Sequence, residues 1–457
     1  MRVVVTGATG FIGNQLLLLL QEKGWDAAVL TRDAESAAVR LPTLCERIEW
    51  NPESGPPPEN IFEGAGVVIH LAGENVAGGR WTASRKRSIM DSRILSARRL
   101  AETLQRVSRK PPVFISASAI GIYGDRGEEP LDETSSTSDG VLADVCRQWE
   151  SEVLRVEASG IRAVVLRIGV VLGHDGGAMK MMLPPFRLGL GGSLGDGRQW
   201  MSWVHVRDLA RLIIHAVETP ALHGPVNAVS PNPATNREFS KILGKVLNRP
   251  AILPVPSFVL RTALGGMSEL LLDSQKVSSR KVQESGFKFT YPQLKDALKV
   301  ICDHPGHALR MEQWVPQPID RVFSFFSDAK NLELITPPIL QLKIFRQSTG
   351  EMRAGTKLDY RMKMHGFPVR WQSTIGDWVP NVRFSDRQSR GPYAYWNHVH
   401  EFIEKDGGTV LRDSAVYRLP FGVPGDIAAH WLVRRDLESI FAYRRKKIEE
   451  LFGKENG

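Results

Sequence analysis

Apolar residues along this chain fall into two rhythms. Up to about residue 300, short apolar runs alternate with stretches of helical period. The runs include residues 3–5 of "VVVTGATGFIG", the later "DAAVLTRD", "GVVIHLA" at 66–72, "VFISA" at 113–117 and "RAVVLRI" at 162–168. Such alternation predicts an α/β unit, a parallel sheet covered by helices on both faces. Near "DHPGHAL", 303–309, the rhythm changes. "ALRMEQWV" reads as a strand and "PIDRVFSFFSD" as a short helix; five or six period-two runs follow from 339 to 418, then a long helix over about 426–452. Trp431, Leu432, Leu437, Ile440, Phe441 and Ile448 give that helix an apolar stripe for a curved sheet to grip, and "RRKK" at 444–447 reads as its solvated side. The expected division is 1–300 and 307–457, an α/β domain followed by an α+β domain.

Composition narrows the class. The chain has 457 residues, enough for two cores, and its 42% hydrophobic and 24% charged content is ordinary for globular protein. Glycines at 7, 10 and 13 interrupt the one stretch that resembles a leader, and no run approaches the ~20 apolar residues of a membrane span. Three cysteines without a CxxC pair fit a reducing compartment, so a cytoplasmic protein is expected. From Arg80 to Lys110 ten Lys or Arg face only Asp91 and Glu102. This is either a solvated helix face or a field that attracts phosphate-bearing ligands. No nucleic-acid motif accompanies the charge, so nucleic acid is not an expected partner.

Thr6-Gly7-Ala8-Thr9-Gly10-Phe11-Ile12-Gly13 lies between the first strand and a helix predicted over Phe11 to Lys23. Gly7 permits a tight turn, Gly10 lets backbone approach a pyrophosphate, and Gly13 lets helix pack on strand. The helix N-terminus then offers free N–H groups to phosphate. At the tip of the second strand, Thr31-Arg32-Asp33 places a forked cation where a 2′-phosphate would sit, which favours NADP. Asp33 leaves NAD open. The small pair Ala72-Gly73 after the third apolar run lets a ribose or nicotinamide pass close.

"TGATGFIG", "HLAGE", "SASAIGIYG", "LRIGVVLG" and "WVHVRD" together resemble the extended short-chain dehydrogenase/reductase family, the NAD(P)-dependent epimerases/dehydratases. Within it, "GENVAGGRWTASRKRSIMDSR" (73–93) and "NAVSPNPATNREF" (227–239) are similar to an atypical epimerase-like branch with a C-terminal extension, here about 250–299. The resemblance implies a Rossmann-type doubly wound sheet. It also implies nucleotide contacts from Gly7, Thr9, Gly10, Phe11, Ile12, Gly13, Arg32, Leu71, Ala72, Gly73, Glu74, Ser116, Ile168, Gly169 and Val170. In that family a Ser holds the substrate carbonyl, a Tyr passes the proton, and a Lys four residues on lowers the Tyr pKa. Ser118 matches the Ser. Counting back from Glu150, the Tyr and Lys positions hold Leu142 and Cys146, neither of which reproduces that transfer. Tyr123 is the best surviving acid, or else a packing residue of its turn, with Arg80, Lys86 and Arg93 as candidate neighbouring cations. His205 and Asp208 enter the helix "DLARLIIHAVE", where Asp208 reads as a cap. "RLGLGGSLGDGRQWMSWVH" reads as a mobile loop in which Arg198, Gln199 and Trp200 either touch substrate or simply connect.

The pattern after 307 is similar to the helix-grip superfamily of START-like and polyketide cyclase/dehydrase domains, which enclose a hydrophobic cavity. The resemblance therefore implies a small-molecule partner with an apolar portion. "YAYWNHVHEF" (393–402) puts Trp396, His398, His400 and Phe402 on one strand face, and periodicity alone does not say whether that face looks in or out. Facing inward, the two His would hold a polar ligand end. A metal site needs at least one more ligand, which the sequence does not indicate, so none is expected. The reading is an NADP-dependent oxidoreductase or epimerase-like enzyme fused to a hydrophobic-ligand domain. A nucleotide-responsive binding protein without turnover is the rival.

Overall fold

The structure is a computed structural model that describes residues 1–453 except 77, 78, 80, 175, 304 and 305, and leaves the side chains of 39, 423, 424 and 427 undescribed. The chain divides into two compact units, Met1–Ala34 with Cys45–His304, and Glu35–Leu44 with Pro305–Gly457. A boundary drawn from runs of pattern misses the short Glu35–Leu44 excursion.

The first unit is built on seven strands: β1 (Arg2–Thr6), β2 (Asp26–Thr31), β3 (Glu46–Glu49), β4 (Val67–His70), β5 (Val113–Ala119), β6 (Arg162–Ile168) and β7 (Gly224–Ala228). They pair in the order β7-β6-β5-β4-β1-β2-β3, all in parallel. Val3, Val4, Val5, Val67, Val68 and Ile69 are wholly buried, as continuous apolar runs in a two-sided parallel sheet should be. Four helices matter for the site: α1 (Phe11–Glu22), α2 (Ala83–Arg106), α3 (Val141–Leu154) and α4 (Val206–Glu218). α1 packs with α4 and α2 with α3, one pair for each face. The strand order reverses between β1 and β4, which leaves a crevice at the carboxyl ends of the strands.

The extension after 250 is pinned back by Asp208. Its fully buried carboxylate accepts N–H bonds from Thr290 and Tyr291, both at 2.8 Å, and one from Arg211 at 3.0 Å. The α4 cap is instead His205, whose Nδ1 accepts the Arg207 N–H, so the reading of Asp208 as a cap is corrected. The glycine-rich segment is also tied down. Leu194 N–H donates to Asn236, Gln199 Nε2 donates to the carbonyls of Leu194 and Leu271, and Trp200 Nε1 donates to Glu128 at 2.7 Å. Gln199 and Trp200 are therefore staples of a fixed loop. Within the basic stretch, Arg85 pairs with Glu74, Arg98 with Glu152, Arg106 with Glu59 and Arg109 with Glu63.

The second unit is an antiparallel sheet of β8 (His307–Val315), β9 (Lys343–Gln347), β10 (Lys357–Met364), β11 (Phe367–Val379), β12 (Arg383–Arg390), β13 (Tyr395–Lys405) and β14 (Gly408–Arg418), ordered β8-β14-β13-β12-β11-β10-β9. With α5 (Ile319–Ser327) and the long α6 (Gly422–Phe452) it forms the helix-grip arrangement. Leu437, Phe441 and Ile448 face the core as expected, whereas Trp431 is 64% exposed. "RRKK" is solvated only in its second half: Arg444 and Arg445 are buried, while Lys446 is exposed and Lys447 half-buried. Among the described residues no helix is long and apolar enough to cross a membrane.

Asp208→Ala removes the acceptor of two part-buried N–H groups and should cost about 1–3 kcal/mol in urea unfolding. Hydrogen exchange should quicken selectively at Thr290 and Tyr291; unchanged exchange there would refute the staple.

Candidate functional site

Gly7 has φ +72°, and a Cβ there would lie 2.5 Å from the Leu71 backbone. The β1 and β4 loops thus interlock only if residue 7 is glycine. A Cβ on Gly13 would lie 2.4 Å from the Gly7 carbonyl, so α1 also starts against bare backbone. Gly10 N–H closes the turn on Gly7 O at 3.0 Å, and Asn14 Nδ2 donates to Ala8 O at 2.9 Å. Thr9, Gly10 and Ile12 remain at least partly accessible around the α1 N-terminus. Phe11 turns its ring onto Gly173, Gly176 and Gly177, where it acts as a wedge beneath the loop. Arg32 is exposed at the end of β2.

Beneath the β4 loop lies a closed chain of polar groups. His70 is fully buried, with Nδ1 2.6 Å from Thr6 Oγ1 and Nε2 3.0 Å from Ser96 Oγ. Ser96 O–H donates to Ser92 O, and Thr6 Oγ1 accepts from Ala72 N–H. One neutral tautomer, protonated at Nε2, satisfies every member. Burial, aided by the Arg93 charge, pulls the His70 pKa down to about 3. Leu71 N–H bonds to Thr6 O, and Glu74 N–H to Ser92 Oγ. Gly73 sits against Arg93, whose Nη2 donates to Glu74 O at 3.0 Å. Ser116 is buried beside His70 in the β4–β5 pairing, and Ile168, Gly169 and Val170 follow β6, with a Gly169 Cβ excluded by Ser202 O at 2.4 Å.

The expected catalytic residues meet in a buried ion-pair network. Ser118 Oγ donates to Glu150 Oε1 at 2.7 Å. Arg167 holds that carboxylate in a fork, Nε at 3.0 Å and Nη2 at 2.9 Å, while its Nη1 donates to Tyr123 Oη at 2.9 Å. Tyr123 O–H donates to Asn227 Oδ1 at 2.8 Å. Tyr123 is wholly enclosed, and burial raises its pKa although Arg167 acts in the opposite sense. Its proton is donated to Asn227 within this enclosure. Among the described residues the cation acting on it is Arg167, in place of Lys86 or Arg93, and Arg80 lies outside them. Leu142 packs beside Gly121. Cys146 is buried, and burial together with the Glu150 charge pushes its thiol up to about 11, so it is neutral near pH 7. Arg93 lies over the Trp149 ring at 5.4 Å and near Cys146; burial lowers its pKa, and the Glu74 charge acts in the opposite sense. A fixed cation therefore stands near the vacated Lys position, supplied by another helix.

In the second unit the β13 face does look inward. Trp396, His398, His400 and Phe402 are all buried. His398 and His400 border a cavity of about 510 Å³ with Asp386, Tyr360, Trp371, Phe384, Phe441 and Arg444 among its other walls. Asp386 of β12 and Asp413 of β14 flank the two imidazoles, and no motif in the sequence marks either of them. Among the described residues Nε and Nη1 of the buried Arg444 meet no hydrogen-bond partner.

Residues 3–229 match the family described as NAD dependent epimerase/dehydratase, 255–301 a domain of unknown function, and 315–439 the polyketide cyclase/dehydrase and lipid transport family. An epimerase family protein of Bacillus subtilis, YfhF, is 40% identical over 305 residues, 66% of this chain and 99% of that protein. A chloroplastic SDR39U1 homologue of Arabidopsis thaliana is 39% identical over 66% of this chain and 86% of its own. The crystal structure of human SDR39U1 with NADPH superposes with a TM-score of 0.59 at 34% identity, covering 66% of this chain and all of that one.

Above pH ~6.5 His70 is neutral folded and unfolded, so it confers no acid sensitivity there. As pH falls toward 3 the unfolded chain alone takes up the proton, and stability drops by up to about 1.4 kcal/mol per pH unit. His70→Asn should lower stability at pH 7 yet flatten this acid slope, read from urea midpoints between pH 7 and pH 4. An unchanged slope would place the acid sensitivity elsewhere.

Proposed function

Because its first two thirds belong to the NAD-dependent epimerase/dehydratase family, we propose that this protein binds NADP(H) at the loop after β1 and moves hydride between the nicotinamide and a carbonyl or alcohol carbon of a small molecule with an apolar portion. The observation that carries the reading is the glycine-only interlock of Gly7 with Leu71 and Gly13 with Gly7, which leaves the α1 N-terminus open to a pyrophosphate. Arg32 favours the 2′-phosphate, and the human relative holds NADPH. With its proton given to Glu150, Ser118 presents lone pairs and accepts from a substrate hydroxyl. Arg93 supplies the positive charge that the absent Lys would have brought, and the substrate proton exchanges with water. The cavity of the second unit suits an apolar body, and the unsatisfied Arg444 donors suit an acidic or carbonyl oxygen at its end.

Enclosure of Tyr123, with Leu142 and Cys146 in the pair positions, favours a second reading, a nucleotide-responsive binding protein without turnover.

Arg32→Ala should weaken NADPH at least about tenfold, ~1.4 kcal/mol, in calorimetric titration and leave NADH unchanged. Equal losses for both nucleotides would remove the 2′-phosphate role. Incubating the protein with a cell extract and NADPH deuterated at the transferring carbon separates the two readings. Deuterium in a small-molecule product supports turnover; a bound ligand that never acquires it supports the second reading.

A further inference from the structure

We propose that Asp386, His398 and His400 form a binding site for one divalent transition-metal ion of the zinc class, opening into the cavity of the second unit. One ligand atom from each of the three lies within 4.8 Å of the other two. Asp386 Oδ2 is 3.3 Å from His398 Nδ1 and 3.6 Å from His400 Nε2. A tetrahedral ion with bonds of ~2.0–2.1 Å holds its ligand atoms about 3.3 Å apart, so two edges of the polyhedron already stand close to their final length.

The groups behind these atoms are arranged as such a site needs. The opposite ring nitrogens both face one carboxylate: His398 Nε2 is 3.1 Å from Asp413 Oδ1, and His400 Nδ1 is 2.5 Å from the same oxygen, off the ring's hydrogen-bonding axis. Asp413 thereby fixes which nitrogen of His398 points at Asp386, as outer carboxylates do for metal-bound imidazoles, and stands against the corresponding nitrogen of His400. Asp386 is oriented likewise, because Ser373 Oγ and Trp396 Nε1 each donate to Oδ1 at 3.3 Å and leave Oδ2 to the imidazoles. Asp386 and Asp413 supply the anionic charge that a dication needs, with the Arg444 guanidinium on the same cavity wall. Asp386, His398 and His400 line the cavity and Asp413 does not, so the remaining coordination position faces the ligand space. Two imidazoles and one carboxylate with an open position suit zinc, cobalt or ferrous iron better than the oxygen-seeking calcium or magnesium.

The test uses the full-length chain, stripped by a chelator and titrated with Co²⁺ under reducing conditions. The expected result is one Co²⁺ per chain, with the intense visible bands of a tetrahedral or five-coordinate site, displaced by Zn²⁺. His398→Ala and His400→Ala should each weaken binding by more than a hundredfold. Asp413→Asn, outside the ligand set, should weaken it by about 10–100-fold and keep the band shape. His398→Gln and His400→Gln, with NADPH titration and circular dichroism on the same samples, guard against loss through misfolding. Absence of a one-to-one Co²⁺ spectrum overturns the proposal. So does a spectrum kept by the His398→Gln/His400→Gln double variant, or a thiolate-to-cobalt band that assigns the ion to cysteine.

Discussion

A charge taken out of water must meet a compensating charge nearby, and both units of this protein are organised around that requirement. In the first, Glu150 is buried on α3 and Arg167 on β6, joined in a fork beneath the carboxyl ends of the strands. Satisfying them recruits Ser118 and Tyr123, and through Tyr123 the last strand at Asn227. The Tyr123 hydroxyl and the Ser118 proton are here absorbed into holding an ion pair. In the second unit, two carboxylates and two imidazoles settle the same requirement across three adjacent strands.

Much of the architecture is legible from periodicity. The run 162–168 becomes β6 with the same ends, and the period-two face from Trp396 to Phe402 is the inward one. Differences arise where residue type outweighs spacing in the reading. Residues 437, 441, 444 and 448 are separated by four, three and four positions, the helical spacing of a single face, so Arg444 belongs with Leu437 and Phe441 despite its charge. Trp431 lies near the start of α6 and stays exposed although it is apolar.

The site is less legible than the fold, and the reason is register. Asp386 meets His398 because β12 and β13 pair with those residues opposite one another, while Asp413 stands opposite His400 on β14. No local spacing in the sequence encodes either juxtaposition. Arg93 is similar: it reaches the neighbourhood of Cys146 from α2, far away in the chain. The turn and helix start of the glycine loop, by contrast, are legible from neighbouring residues, although the close approach of Leu71 to Gly7 is not.

The fork between Glu150 and Arg167 also constrains the routes by which such a chain can change over generations. Losing either partner strands the other in a dry interior at a cost of about 3–5 kcal/mol, a large part of the stability of an ordinary domain. Replacing both with apolar residues of similar volume can be nearly neutral, but that state lies two steps away across a valley. Leu142 faces no such barrier. A single substitution can therefore place or remove a tyrosine at that position, whereas the ion pair has to change in two coupled steps.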